Sequence, residues 1–118
     1  MKASELRIGN WFKEDILEQT YAQITAKDIL DFYDDPLDDF YKPIPLTEEW
    51  LIKLGFISMY SNYIIKAGDY YNSIKKECEN GKWIYSYDES DAGCYELKEI
   101  KYVHQLQNLY FALNDKEL

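Results

Sequence analysis

The 118-residue chain is poor in histidine, cysteine and basic side chains, and it contains no long apolar run. One histidine, His104, rules out a His-based metal cluster, and two cysteines, Cys78 and Cys94, are too few for a disulfide framework or a complete zinc site. In a reducing compartment both read as free, partly buried thiols. No stretch of about 18 apolar residues occurs and no apolar h-region follows Met1, so neither a membrane span nor a signal peptide is expected and the chain reads as cytoplasmic. Thirteen basic against 22 acidic residues leave a net charge of −9, which repels phosphate backbones and anionic headgroups; direct nucleic-acid or membrane binding is disfavoured. Gly-rich phosphate loops, the Walker lysine motif, the nucleophile elbow and the His-Glu zinc helix are all missing. Ser–His–Asp or Cys–His chemistry would have to recruit His104 from a helix, and abundant carboxylates without a pocket are no glycosidase signal. The expectation is a non-enzymatic protein with no cofactor and no metal.

What the chain does have is aromatic bulk. Twelve Tyr, five Phe and three Trp favour strands and broad side-chain platforms, and tyrosine tolerates a half-wet position where it makes a good protein contact. The length fits a single domain over residues 1–118, which buries roughly 65% of the surface its unfolded form exposes.

Along the chain, residues 6–13 (LRIGNWFK) read as a strand with Leu6, Ile8 and Trp11 as core candidates and Gly9-Asn10 as a bulge or local turn. Residues 20–25 read as a paired strand. Thr25 and Asp28 have capping-box spacing for a short helix over 26–33, stopped before Pro36. The two prolines of KPIPL, residues 42–46, allow an edge or surface crossing but no central strand. Thr47 caps a helix at about 48–54, with Glu48 and Glu49 in its first turn and Gly55 closing it. Strands are then expected over 60–66, 70–79, 82–87 and 94–100, with an acidic loop at 88–93. Asn80-Gly81 is the signature of a type I′ hairpin, which would pair Lys76 with Tyr85 and Ile74 with Tyr87 and set Cys78 against Trp83. Tyr102, Leu106, Leu109, Tyr110 and Leu113 form one apolar stripe on a C-terminal helix at about 102–114. The predicted fold class is α+β: a small antiparallel meander with the last two helices packed on it.

Acids cluster twice. Asp28, Asp31, Asp34, Asp35, Asp38 and Asp39 place six carboxylates in twelve residues, without the alternating ligand spacing of a calcium loop. Asp88, Glu89 and Asp91 repeat the mixture of acid and tyrosine. The candidate partner-binding residues are therefore Asp31, Asp34, Asp35, Asp38, Asp39, Phe40, Tyr41, Asp88, Glu89 and Asp91, set against the plainer reading of a solvated acidic surface.

Three segments, ELRIGNW at 5–11, PIPLTEEWLIKLGF at 43–56 and IKYVHQLQNLYFAL at 100–113, resemble recurring blocks of a group of small uncharacterised proteins carried by phages and mobile elements of Bacteroidetes. The resemblance covers 35 residues and leaves the middle unmatched; it carries over no catalytic residue. Some small proteins of this kind resemble anti-CRISPR inhibitors of type VI-B RNA-guided nucleases. The resemblance thus implies an inhibitor of host defence, acting in the bacterial cytoplasm on a nuclease whose basic RNA groove attracts an acidic, tyrosine-rich face. A structural or accessory phage protein that self-assembles or binds another phage component is the alternative, and the protein is expected as a monomer or weak homodimer.

Overall fold

A computed structural model describes residues 5–14, 20–34, 41–59, 62–67, 70–77, 80–89 and 93–118, and the fold is α+β. The elements run β1 (Trp11–Glu14), β2 (Tyr21–Gln23), α1 (Ala26–Asp34), β3 (Tyr41–Lys42), α2 (Glu48–Lys53), β4 (Ile57–Met59), β5 (Asn62–Ala67), β6 (Tyr70–Lys76), β7 (Trp83–Glu89), β8 (Gly93–Ile100) and α3 (Val103–Asn114). They form two antiparallel sheets, one of order β2-β1-β3 and a five-stranded meander β4-β5-β6-β7-β8.

The meander was legible in the strand-rich second half; the separate small sheet was not expected. Its strand β1 begins only at Trp11, because Gly9 takes a φ of +94° and the Asn10 amide donates to Arg7 O at 3.1 Å, turning the chain there. Ile8, a core candidate in the sequence, is consequently exposed at the turn. Phe12 and Ala22 are cross-strand partners, and with Ile24, Tyr41, Leu6 and Ile29 of α1 they make a small second core. The Thr25–Asp28 box forms as expected: the Thr25 amide donates to Asp28 Oδ2 at 2.7 Å and the Asp28 amide to Thr25 Oγ1 at 3.3 Å.

The main core gathers Leu46, Trp50, Leu51, Leu54 and Phe56 around α2, Ile74, Tyr85 and Ile100 from the meander, and Val103 and Leu106 from α3. Thr47 caps α2 by accepting from the Trp50 amide at 3.4 Å, and Gly55 reverses the chain with a φ of +102° that an L side chain resists. The proline segment runs extended beside the entry to α3, with the Leu46 amide donating to Lys101 O and the Val103 amide to Ile44 O. Tyr102 is the N-cap residue of α3, so the helix starts one residue later than its apolar stripe begins. The strand expected over 60–66 is β5, and an additional short strand, β4, pairs with it, with Ile57 opposing Ile64.

The β6–β7 register is displaced by two residues from the expected one: Lys76 pairs with Trp83 and Ile74 with Tyr85. A type I′ turn needs positive φ at both central residues, but here Gly81 alone has it (+68°) and Asn80 does not. The loop closes wider, with the Glu77 amide donating to Lys82 O at 2.8 Å and the Gly81 amide to Glu77 O at 2.9 Å. Asn80 staples it, donating to Glu77 Oε2 and accepting from the Lys82 amide. A shift of two leaves every side chain on its original face, so Ile74 and Tyr85 still reach the core. The predicted Cys78–Trp83 pairing goes with the old register, and Cys78 lies outside the described residues.

Candidate binding surfaces

The first acidic cluster begins on α1, whose capping box ties down one acid and leaves another at the surface. Asp28 is half-buried: burial pushes its carboxyl up, but the bonds from the Thr25 amide and hydroxyl and from the Tyr41 hydroxyl, with Lys27 nearby, bring it below the ordinary carboxylate value. Asp31 stands exposed on the same helix next to Leu30, which is 65% exposed. Asp34 is the last residue of α1, while Asp35, Asp38, Asp39 and Phe40 lie outside the described residues.

Tyr41 requires a correction. The sequence puts it on the binding face, yet it is only 4% exposed, its ring packed 4.9 Å from that of Phe12 and its hydroxyl donating to Asp28 Oδ1 at 2.8 Å. Strand alternation turns it toward α1 and makes it a core residue that positions Asp28. The second cluster is also differently built: Asp88 and Glu89 belong to β7, opposite Cys94 and Gly93 of β8, where an acidic loop over 88–93 was expected. Asp91 lies outside the described residues.

His104 is 1% exposed, stacked on Tyr102 at 5.9 Å between ring centroids, with Nε2 3.4 Å from Glu5 Oε2. Burial lowers its pKa against the opposing pull of the Glu5 carboxylate. Burial thus favours the neutral imidazole, with Nε2 facing Glu5 and Nδ1 buried without a hydrogen-bond partner among the described residues. That is a packed ring and not an accessible general base. Among the described residues no three of His, Cys, Asp and Glu converge as metal ligands, and no helix is long and apolar enough to cross a membrane.

No known protein family, curated protein or solved structure matches the chain. The functional reading therefore depends on charge, exposure and side-chain geometry.

Two features escaped the sequence reading because they are polar or spread over several elements. One is a hydrogen-bonded seam between residues 5–11 and α3. Gln107, 2% exposed, accepts from the Trp11 amide at 2.8 Å and donates to Gly9 O at 3.1 Å. Asn108 Oδ1 accepts from both Arg7 Nε and Asn10 Nδ2 at 2.9 Å, and Arg7 reaches on to Glu117 at 2.7 Å while covering the Phe111 ring. The other is an aromatic cleft: Trp11 of β1 and Tyr21 of β2 share a sheet face that meets Trp50 of α2, with ring centroids 5.4 and 5.1 Å from Trp50. The tryptophan and lysine content was visible in the sequence; their convergence depends on how the small sheet lies against α2.

Proposed function

We propose that this protein is a non-enzymatic, phage-derived inhibitor of host defence that binds a CRISPR RNA-guided nuclease through its acidic, tyrosine-rich surface. The observation that carries the reading is α1: it presents the exposed acid Asp31 beside the exposed Leu30, and in sequence it leads directly into the acidic segment 34–41. Carboxylate and apolar contact offered together fit a basic groove flanked by hydrophobic side chains, and the net charge of −9 steers the encounter. Glu48 and Glu49, exposed at the start of α2, add to the same negative field.

The test is target-RNA cleavage by a purified type VI-B nuclease with its guide RNA, titrated with this protein at two salt concentrations. Inhibition is expected to weaken at the higher salt, and to fall about tenfold or more when Asp31, Asp34, Asp35, Asp38 and Asp39 are all changed to Lys. Inhibition unaffected by the charge reversal would refute the acidic-face reading. A second reading, self-assembly as an accessory phage component, draws on the exposed Ile57 and Met59 of the sheet-edge strand β4 and on Ile52 just before it. A monomeric mass that persists at high concentration would count against it.

A further inference from the structure

Lys53 ends α2 with its ammonium enclosed by three rings: Nζ lies 4.5 Å from the Trp11 centroid, 4.5 Å from Trp50 and 5.9 Å from Tyr21. The rings are not parallel, with Trp11 at 58° and Tyr21 at 90° to Trp50, so their electron-rich faces converge on one point. Glu49, one helical turn before Lys53, lines the same cleft of about 160 Å³ together with Tyr21, Trp50 and Lys53. Tyr21, Trp50 and the Glu49 carboxylate line the concavity, and Trp11 adds a third π face on the Lys53 ammonium; this is the recognition chemistry of an alkylammonium group, and Lys53 shows that such a group fits.

We propose that Trp11, Tyr21 and Trp50 form an aromatic cage that accepts an alkylammonium from outside, with Lys53 as its resident occupant in the free protein. The lysine is exposed and its stem is flexible, so an incoming cation competes with it by swinging it into water. An exposed cation–π contact gives the resident an advantage of only about two- to fivefold. Apart from Glu49, which also contributes to the negative field, the site shares no residue with the acidic face proposed above, and it stands or falls separately. The incoming group is either the side chain of a partner protein's lysine or a small free quaternary amine.

The experiment follows the indole NMR signals of Trp11 and Trp50 during titration of the wild-type protein and Lys53→Ala with choline, with Nα-acetyl-lysine methylamide, and with 3,3-dimethylbutanol, the uncharged analogue of choline. Both proteins are expected to saturate with a cation and not with the alcohol, and Lys53→Ala at about two- to fivefold lower concentration. Tyr21→Ala should weaken binding in either background. Response to choline alone identifies a free amine as the source, and response to the lysine mimic alone identifies a protein side chain. Equal response to the uncharged analogue overturns the proposal, as does an absence of saturation in a Lys53→Ala protein whose spectrum stays dispersed. Saturation of the variant without any in wild type at tenfold higher ligand refutes displacement of Lys53. If Lys53→Ala does not fold, Lys53→Ser is read by the same criteria.

Discussion

Replacing Gln107 with leucine tests whether the polar seam stabilises the fold. Its carboxamide holds two backbone groups, accepting from the Trp11 amide and donating to Gly9 O. On that edge of β1 the described residues of the short strand β3 pair with Lys13 and Glu14, so the Trp11 amide depends on Gln107. Gly9 O is less exposed to the loss, because Gln23 Nε2 also donates to it at 2.9 Å. Leucine fills a similar volume, which keeps the cavity contribution small. One shielded donor left without a partner costs about 1–3 kcal/mol, and the second bond adds about 1 kcal/mol, for a total of about 2–4 kcal/mol. In a domain of this size that lowers Tm by roughly 8–15 °C. Urea unfolding followed by the fluorescence of the three tryptophans measures it, with the m-value unchanged. Gln105→Ala is the internal comparison: it removes the side-chain acceptor for the Lys101 and Tyr102 amides at the more exposed start of α3 and should cost about 1 kcal/mol. A Gln107→Leu protein within about 0.5 kcal/mol of wild type would refute the argument that this seam stabilises the fold.

Two further outcomes follow from backbone strain and from burial. Asp115 ends α3 in the left-handed region with a φ of 54°, its amide donating to Phe111 O at 2.8 Å, and its negative charge sits at the unfavourable end of the helix dipole. Asp115→Gly keeps the amide, relieves both penalties and should raise stability by about 1 kcal/mol in the same urea assay. His104 has a folded-state pKa below its unfolded value of 6.5, so the unfolded chain takes up the proton first as pH falls. Its contribution is intact above that pH, declines as pH drops through it and levels off once the folded value is passed. Urea midpoints measured from pH 7.5 to 5 should show this decline, and His104→Phe should flatten it.

The parts of the fold written in short-range chemistry were legible. Thr25 with Asp28, Thr47 with Glu48 and Glu49, and Gly55 each mark a helix end by a local hydrogen bond or a required φ, and each does so in the structure. Alternation exposed the meander and the stripe on α3. What stayed hidden were the positions where polar atoms are buried, since apolar periodicity gives no weight to Asn10, Asn72, His104 or Gln107, all of them in the interior. Asn72 illustrates the reason: it sits among core side chains because Tyr85 donates to its Oδ1 and Asn114 bonds it from α3, partners 13 and 42 residues away. The hairpin register failed for a different cause. Asn-Gly predicts a two-residue turn, and the Asn80 side chain instead closes a wider loop through Glu77 and Lys82. The acidic neighbours of Tyr41 in sequence suggest a surface position, whereas its place is decided by pairing with β1, where Glu14 is its partner.

The seam between residues 5–11 and α3 joins groups about 100 positions apart in the chain. During synthesis, the Arg7 guanidinium, the Asn10 side-chain amide nitrogen and the Trp11 amide emerge first, and the bonds they make to Gln107 and Asn108 wait until α3 has been made. The turn at Gly9 and the small sheet it feeds must therefore wait in a half-satisfied state while the meander assembles, since such long-range closures come late on a folding pathway. A fusion or truncation that delays or removes α3 would leave that early segment open and sticky, so the order of synthesis makes its last helix the clasp of the structure.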